Sequence, residues 1–341
     1  MSIAEEASDV NPPAELDHAI ERLREQFRTP DLTLDGAPRR LGGGFWAEMW
    51  TLQFAQPADC PLPAKAVLRL APDSRLSARE TAVQAGVADQ GYPTPRIHAS
   101  DTAHDSRRAW SVMDFAEGQP LLAGLNGLRA LANLPRLATT LPDTLARVAL
   151  ALHQLDPESI EAQLNALTDG SAGVDELLEH YVSQVQVLAD KPLRQLVERV
   201  ATTRPSDRPR AVCHGDLHPF NVLSTGGQNV VLDWTAAQIT HPAYDLAFTH
   251  LVLAHPPLDA PRPLRPIING SARRIANRFI TTYQRHTPHP IDSDTLAWYR
   301  SLQACRILID LAGWRANDTT DSHRGHPWFA IEPALRPLLR P

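Results

Sequence analysis

Two short apolar runs joined by a polar turn are the feature that most constrains this chain. The runs cover residues 221–223 and 230–232, and the six residues between them include two glycines. This pattern predicts a β-hairpin. Asn221 opens the first run and Asp233 directly follows the second, so a hairpin would bring these two side chains close together. A further acid, Asp216, lies five residues before Asn221.

The residue types at these three positions suit phosphoryl transfer from a nucleotide. Such a reaction uses one carboxylate to orient and deprotonate the attacking hydroxyl. It uses an amide and a second carboxylate to hold the magnesium ions that neutralise the phosphates. Asp216 suits the first role, as the catalytic residue, and Asn221 and Asp233 suit the second, as metal ligands.

The segment at residues 214–234 resembles the catalytic and metal-binding loops of the aminoglycoside phosphotransferase and choline kinase-like family, relatives of the protein kinases. His-Gly-Asp at 214–216 stands where protein kinases have His-Arg-Asp, and Asp-Trp at 233–234 stands where they have Asp-Phe-Gly. The resemblance covers roughly residues 40–255. It implies an α+β, two-lobed protein kinase-like fold. The N-terminal lobe would be an antiparallel sheet with one main helix, and the C-terminal lobe would be mostly helical.

The length and the apolar patterns agree with two lobes. A chain of 341 residues exceeds one ordinary core. We predict a nucleotide-binding lobe at residues 1–116 and a catalytic and substrate-binding lobe at residues 117–341. Apolar spacing predicts a helix at 13–27, and β-rich runs predict strands at the positions that follow: 49–54, 66–70 and 110–115.

Composition excludes several classes of protein. Hydrophobic content of 43% and charged content of 21% are typical of a globular protein. A net charge of −6 argues against a general nucleic-acid binder, and no apolar run reaches the length of about 18 residues that a membrane span needs. The three cysteines are few and widely spaced, which favours a reducing cytoplasm. We therefore expect a cytoplasmic protein with neither a nucleic-acid nor a membrane partner.

A glycine-rich segment precedes the first clear strand. Gly42, Gly43 and Gly44 would let the backbone approach phosphates with its N–H groups. A plain hairpin turn would use the same residues. The resemblance implies the phosphate-covering role, because the segment lies some 25 residues before Arg69.

Arg69 ends an apolar strand where kinases place the lysine that contacts the α- and β-phosphates. Lys65 is the rival candidate, since it shares the same face of that strand. Kinase folds pair this cation with a helix glutamate, and Glu80 follows Arg69 by eleven residues. Ser77 to Glu80 also reads as a capping box, in which Glu80 would bond back to the Ser77 amide. Both interpretations stay open from sequence alone.

The resemblance also assigns residues that hold the nucleotide base and the catalytic loop. It implies that backbone groups from Asp114 to Ala116 contact the base, without deciding between ATP and GTP. It further implies that Asp245 bonds to backbone amides of the catalytic loop and holds that loop rigid. His153 is interpreted as a structural residue at a helix end, and His218 as a residue that shapes the catalytic loop.

One segment is strongly acidic. Between residues 156 and 190 there are eight acids and no Lys or Arg. Such a run is typical of solvated helix faces, but it would also attract a cationic substrate. The acids are Asp156, Glu158, Glu161, Asp169, Asp175, Glu176, Glu179 and Asp190.

Taken with the resemblance, these features imply an aminoglycoside phosphotransferase-like small-molecule kinase. It would use magnesium and ATP, or GTP, to phosphorylate a hydroxyl of a small molecule. An amine-bearing acceptor is the more specific hypothesis: an aminoglycoside, an amino sugar or an amino alcohol. The alternatives are a nucleotide-binding module without catalysis, against which the intact acids count, and a protein kinase, against which the lack of an activation segment counts. The acceptor, the choice of nucleotide and the oligomeric state stay open at this stage.

Overall fold

The computed structural model separates the chain into two compact units. Unit 1 comprises Met1–Leu125, Ala162–Asp169 and Pro219–Ala236, and unit 2 comprises Asn126–Glu161, Gly170–His218 and Ala237–Pro341. The division into a nucleotide-binding lobe that ends at residue 116 and a catalytic lobe that follows it stays a prediction. The structure describes residues 5–6, 12–42, 47–55, 60–101, 108–122, 134–167, 173–206, 208–256 and 265–340.

Unit 1 is built on a seven-stranded antiparallel sheet. The strand order is β1-β3-β4-β5-β7-β6, and β2 pairs with β4 off this path. The three predicted strands are confirmed as β4, β5 and β7. The strands are β1 (Glu5–Glu6), β2 (Thr33–Leu34), β3 (Arg39–Leu41), β4 (Glu48–Ala55), β5 (Lys65–Ala71), β6 (Ile97–Asp101) and β7 (Ala109–Asp114).

The predicted first helix is confirmed as α1 (Glu15–Phe27), which packs against β6 and β7. Its apolar side chains recur at helical spacing, so Leu16, Ile20 and Leu23 all point into the core of unit 1. Burial of each such side chain stabilises the fold by about 1.5–3 kcal/mol. The helix thereby covers one face of the sheet.

A second helix, α2 (Ser74–Asp89), follows β5. The side chain of Asp73 caps it by accepting a hydrogen bond from the N–H of Leu76 at 2.9 Å. Ser77 therefore lies inside the helix, and the capping-box interpretation of Ser77 and Glu80 is wrong. An acid one residue before the helix supplies the cap that the sequence pattern had placed further along.

The predicted hairpin is confirmed and lies in unit 1. Strands β10 (Val222–Ser224) and β11 (Asn229–Val231) pair antiparallel, with Val222 opposite Val231. Strand β8 (Gln119–Pro120) pairs with the other edge of β10. This small sheet holds the two ends of the hairpin together.

Unit 2 is mostly helical. Helix α4 (Pro157–Leu167) contributes residues to both units, and two short strands, β9 (Ala211–Cys213) and β12 (Gln238–Thr240), pair antiparallel in unit 2. The other helices are α3 (Leu134–His153), α5 (Val174–Val187), α6 (Lys191–Thr202), α7 (Ala243–Ala254), α8 (Arg265–His286), α9 (Ser293–Ala316) and α10 (Pro327–Leu335).

Helix α9 is central to unit 2. It is the longest described helix, and it packs against α5, α6, α7 and α10. Apolar residues occur all around it, as expected for a helix buried on most sides. Within the described ranges, no helix is both long and apolar enough to cross a membrane.

Candidate active site

The candidate residues fall into two groups, one in each unit. Unit 2 holds the loop that follows β9, with His214, Gly215 and Asp216. Gly215 has a φ of 76°, a conformation that favours glycine. The tight turn places the N–H groups of His214 and Gly215 side by side.

A buried carboxylate holds this turn. Asp245, at the start of α7, is fully buried and accepts hydrogen bonds from the N–H groups of His214 at 2.9 Å and Gly215 at 2.6 Å. The predicted role of Asp245 is therefore confirmed. Hydrogen bonds to an ionised acceptor are among the stronger ones in proteins, so they fix the loop well.

His153 supports the same carboxylate from another helix. It is the last residue of α3, as predicted, and its Nε2 lies 3.0 Å from Asp245 Oδ2. Its Nδ1 lies 2.8 Å from the hydroxyl of Tyr283. The Sγ atom of Cys213 lies within 4.8 Å of a ring nitrogen of His153 and a carboxylate oxygen of Asp245, and burial raises the pKa of that thiol well above its usual value. Cys213 Sγ also lies within hydrogen-bond distance of the carbonyls of Thr240 and His241, so hydrogen bonds account for the contacts of all three side chains.

Two side chains face Asp216, an arginine and a histidine. Arg306, on α9, places a guanidinium nitrogen 3.6 Å from Oδ1, and His218 places Nε2 3.4 Å from Oδ2. Burial alone would raise the pKa of Asp216, but His218 and Arg306 outweigh it and hold that pKa well below its usual range. Asp216 is therefore a carboxylate, and not a carboxylic acid, near neutral pH.

The second group lies in unit 1, at the open end of the hairpin. The N–H of Leu232 donates to the carbonyl of Asn221 at 2.9 Å, which brings Asn221 beside the residue that precedes Asp233. The expected proximity of Asn221 and Asp233 thus follows from the hairpin register. Asp233 is exposed and has a φ of 64°, a left-handed conformation that aspartate tolerates better than most residues.

The donor set at this end of the hairpin fits a magnesium ion. Magnesium prefers hard oxygen ligands and keeps several waters, so it needs few protein groups. Asn221 offers an amide oxygen and Asp233 offers a carboxylate. An exposed carboxylate leaves room for the remaining water and phosphate ligands.

Arg69 and Glu80 form a buried ion pair in unit 1. The guanidinium lies 2.7 Å from Glu80 Oε2, and 11% and 5% of the two side chains are exposed. Burial raises the pKa of Glu80 to about 7; the charge of Arg69 opposes this rise and that of Asp233 adds to it. The pair fixes the position of the Arg69 guanidinium within unit 1.

Thr235 links the ion pair to the hairpin, and no sequence motif points to this residue. Its hydroxyl lies 2.6 Å from Asp233 Oδ1 and 3.4 Å from Glu80 Oε2, and it accepts a hydrogen bond from Arg69 at 3.3 Å. The only local signal is its position two residues after Asp233. Unit 1 thus joins the predicted phosphate ligand and the predicted metal ligand through one hydroxyl.

Lys65, the rival of Arg69, lies elsewhere on the same strand. Its ammonium group is 3.7 Å from the centre of the Phe115 ring, a cation–π contact. Arg69, in contrast, contacts both Glu80 and Thr235. The structure therefore favours Arg69 over Lys65 as the cation of the ion pair.

We predict that Arg69→Ala weakens nucleotide binding or slows turnover by at least about tenfold, because a charged hydrogen-bonding group contributes roughly 1.5–3 kcal/mol. Lys65→Ala should change either quantity less than about fivefold, because loss of a cation–π contact at a partly exposed site costs about 0.5–1 kcal/mol. Calorimetric titration with ATP and steady-state kinetics would measure both variants. The opposite order of effects would identify Lys65 as the phosphate ligand.

The remaining predicted nucleotide ligands are placed only in part. Gly42 directly follows β3, which pairs with β4 with Leu41 opposite Met49, so the glycine-rich segment connects two antiparallel strands. Gly43 and Gly44 lie outside the described residues. The phosphate-covering role of all three glycines stays a prediction.

Asp114 and Ala116 lie where β7 ends. The N–H of Asp114 donates to the carbonyl of Arg96 at 2.9 Å, and its carboxylate accepts from the N–H of Arg96 at 3.0 Å and contacts His98 at 2.7 Å. The N–H and the carboxylate of Asp114 are thus engaged with Arg96 and His98. The predicted base contact would therefore use the carbonyl of Asp114 and the backbone of Ala116, and it stays a prediction.

Comparison with known proteins identifies the family. The model of the phosphotransferase enzyme family matches residues 39–277. An aminoglycoside 3'-phosphotransferase of Streptomyces fradiae is 27% identical over 223 residues, which cover 62% of this chain and 73% of the relative.

Solved structures share the fold. One is a protein of Ralstonia eutropha JMP134, provisionally designated an aminoglycoside phosphotransferase. It has a TM-score of 0.65 and 20% identity, and the match covers 95% of each chain. A second is a thermostable mutant of the aminoglycoside phosphotransferase APH(4)-Ia in ternary complex with AMP-PNP and hygromycin B. It has a TM-score of 0.57 and 16% identity, covering 93% of this chain and 97% of that one.

These matches confirm the predicted protein kinase-like α+β fold and the prediction of an enzyme that transfers phosphoryl groups. The family model spans well over half of the chain, from β3 to the middle of α8, and so includes both groups of candidate residues. The chain therefore belongs to the phosphotransferase enzyme family.

Proposed function

We propose that this phosphotransferase moves the γ-phosphoryl group of ATP, or of GTP, to a hydroxyl of a small molecule. The observation that supports this most is the state of Asp216. It is an ionised carboxylate on a loop whose two preceding amides are held by Asp245. A fixed carboxylate is the group that an attacking hydroxyl needs to be oriented and to lose its proton.

In this mechanism Asp216 accepts a hydrogen bond from the acceptor hydroxyl and takes up its proton as the oxygen attacks the γ-phosphorus. The low pKa of Asp216 makes it a weak base in the ground state, so orientation is its main task before the transition state. Proton transfer then completes as the bond between the γ-phosphorus and the β-phosphate oxygen breaks and ADP, or GDP, leaves, because the acceptor oxygen is most acidic at that point.

On the nucleotide side, Arg69 would contact the phosphates, with Glu80 holding its guanidinium in place. Asn221 and Asp233 would hold magnesium, which neutralises charge on the phosphates when it is bound. Use of a nucleotide is supported by the AMP-PNP bound to the APH(4)-Ia mutant. Thr235 would hold the side chains of Asp233 and Arg69 in fixed positions, because its hydroxyl contacts both.

For the acceptor, we propose an amine-bearing small molecule. The Streptomyces fradiae relative is named for aminoglycosides, and the APH(4)-Ia mutant holds hygromycin B. The acidic segment at residues 156–190 supports the same class of acceptor, because its negative charge would attract an amine. Part of that charge has a structural role. Asp156 and Asp190 accept backbone hydrogen bonds at helix starts. Glu161 and Asp175 pair with arginines beyond the segment, Arg210 and Arg204.

An amine acceptor attracted by this acidic segment should show a KM that rises with salt, because salt screens exposed charges over about 8–10 Å near physiological ionic strength. The expected change is a severalfold increase between low and physiological salt, with magnesium and nucleotide held fixed. Steady-state kinetics with an aminoglycoside and with a neutral sugar would measure it. Efficient phosphorylation of the neutral sugar with a salt-independent KM would contradict the amine hypothesis and leave the phosphotransferase function intact.

The function itself is tested by transfer from γ-labelled ATP and GTP to three kinds of acceptor. These are a panel of aminoglycosides, sugars and amino alcohols, a mixture of protein substrates, and water alone. Transfer to a small molecule is expected. Label on protein substrates only would favour a protein kinase, and binding of nucleotide without any transfer or hydrolysis would favour a non-catalytic module.

We also propose a cytoplasmic location. Intracellular ATP is the phosphoryl donor that this chemistry requires, and Cys60, Cys213 and Cys305 are free thiols. Free thiols persist in a reducing compartment. Fractionation of cells that produce the protein would test this location.

A further inference from the structure

Arg306 reaches the catalytic loop from a helix far along the chain. It lies on α9, and its guanidinium donates a hydrogen bond to the carbonyl of Gly215 at 2.8 Å. A second guanidinium nitrogen lies 3.6 Å from Asp216 Oδ1. One side chain therefore contacts both the backbone and the carboxylate of the turn that presents Asp216.

The guanidinium is itself held in place. Its central carbon lies 5.3 Å from the ring centre of Phe248 and 5.8 Å from that of Trp328, both distances in the range of cation–π contacts. Both rings are buried, and the indole N–H of Trp328 donates to Asp310 at 3.1 Å. Arg306 thus has little freedom to change its rotamer.

Electrostatics favours this arrangement. Only 22% of the Arg306 side chain and 21% of the Asp216 side chain are exposed. Burial by itself would lower the pKa of Arg306, but the charge of Asp216 outweighs it and raises that pKa above its usual value. Arg306 therefore keeps its charge, and the other oxygen of its partner carboxylate lies 3.4 Å from His218 Nε2.

We propose that Arg306 is a positioning residue for phosphoryl transfer, which fixes the Gly215 peptide and the Asp216 carboxylate with one guanidinium. The proposal rests on the proposed function, because it assumes that Asp216 is the group that orients the acceptor hydroxyl. Asp245 holds the loop by accepting hydrogen bonds from the N–H groups of His214 and Gly215. Arg306 holds the loop through the Gly215 carbonyl and the Asp216 carboxylate. Together the two side chains contact the N–H and the carbonyl of Gly215 and one oxygen of the Asp216 carboxylate.

A lysine would not reproduce this role. The two contacts use two different guanidinium nitrogens, whereas an ammonium group is a single point from which all its donors radiate. Arg306→Lys should therefore keep most of the charge balance and lose part of the alignment. Arg306→Met keeps the length of the side chain and loses both contacts.

Arg315→Met is the matched control. Arg315 lies on the same helix and pairs with Glu332 of α10 at 2.7 Å, so its loss removes an ion pair between α9 and a neighbouring helix. Turnover of water as acceptor, measured as magnesium-dependent ATP hydrolysis, serves as the activity for all variants. Hydrogen exchange of the peptide that covers residues 212–218 reports the rigidity of the loop without any need for turnover.

We expect Arg306→Met to lower kcat by roughly 100-fold, since misplacement of a catalytic group by about 1 Å costs that much. The KM for ATP should change less than about threefold, because Arg306 contacts no predicted nucleotide ligand. The kcat of Arg306→Lys should lie between that of Arg306→Met and that of the wild type. The exchange of the loop amides should be faster in Arg306→Met and unchanged in Arg315→Met.

Chemical rescue separates positioning from general destabilisation. Arg306→Ala removes the whole side chain between Phe248 and Trp328, and millimolar guanidinium chloride should restore part of its kcat. Urea at the same concentration has a similar shape and no charge, so it should restore nothing.

Equal kcat values and equal loop exchange in Arg306→Met and Arg315→Met would overturn the proposal. The proposal is also wrong if kcat falls while the hydrogen exchange of the loop is unchanged and guanidinium restores no activity. Arg306 would then support only the fold. If the wild type neither hydrolyses ATP nor phosphorylates any acceptor, the proposed function fails. The exchange experiment then still decides whether Arg306 holds the loop.

Discussion

Asp233→Asn should lower the rate of phosphoryl transfer by roughly three orders of magnitude, because a metal ion supplies several kcal/mol of transition-state stabilisation and each 1.4 kcal/mol is a tenfold change in rate. Asparagine keeps the size of the side chain and can still accept a hydrogen bond from Thr235. It loses the negative charge that would bind magnesium. The change therefore tests the charge and little else.

The measurement is kcat for ATP hydrolysis and for acceptor phosphorylation over a range of free magnesium. The residual activity of Asp233→Asn should require more magnesium than that of the wild type. Nucleotide should still bind, since the proposed contacts of Arg69 and of the backbone from Asp114 to Ala116 are intact.

The backbone conformation of Asp233 calls for a specific control. Its φ of 64° lies in the left-handed region, where asparagine and aspartate are tolerated better than alanine. Asp233→Ala would therefore mix loss of a ligand with backbone strain. Asp318, with a φ of 56° in unit 2, is a matched position outside the candidate site. Asp318→Ala and Asp318→Asn show what the conformation alone costs.

Wild-type magnesium dependence and a kcat within tenfold of the wild type in Asp233→Asn would refute the assignment of Asp233 as a metal ligand. A comparable loss of activity in Asp318→Asn would show that the effect comes from the fold.

Asp216→Asn should lower kcat by about 10²- to 10⁴-fold, the range that a general base contributes. The affinity for nucleotide should stay near that of the wild type, because Asp216 is not among the proposed nucleotide ligands. Measurement of kcat together with calorimetric titration of ATP separates the two quantities. A variant with normal kcat would show that another group orients the hydroxyl.

The same substitution should lower the melting temperature. Arg306 is mostly buried and would lose its counter-charge, and a charge left without its partner in a protein interior is costly. The pH dependence has a definite sign. Since the folded pKa of Asp216 is below its unfolded value, its stabilising contribution is complete above the unfolded pKa of about 3.9 and is lost as the pH falls through the lower folded value. Lowering the pH from 7 to 5 should therefore leave Asp216 charged.

The sequence by itself determined the parts of the site that depend on neighbours along the chain. A polar turn between two apolar runs is sufficient to predict a hairpin, and the hairpin register places Asn221 beside Asp233. The strand that ends near Arg69 and the helix that follows it are likewise local patterns. The interaction of Asp245 with the catalytic loop was predicted only through the resemblance to a family, because 30 residues separate Asp245 from Gly215.

Local patterns failed where two residues competed for one role. Ser77 and Glu80 have the spacing of a capping box, yet Asp73 begins the helix and caps it. Lys65 and Arg69 have the same charge and the same face of one strand, and only the position of Phe115 and Glu80 separates them. Spacing alone does not rank such candidates, because the choice depends on what packs against each one.

Tertiary structure alone decided the surroundings of Asp216 and Asp233. Arg306 lies 90 residues after Asp216, on a helix whose pattern indicates only burial, so no sequence motif connects the two. Nothing in the sequence distinguishes Thr235 from other threonines. Its hydroxyl becomes important because β5, α2 and the hairpin place Arg69, Glu80 and Asp233 around it. The physical reason is the same in both cases. The free energy of these contacts comes from groups brought together by packing, and packing between distant segments leaves no periodic signal in the sequence.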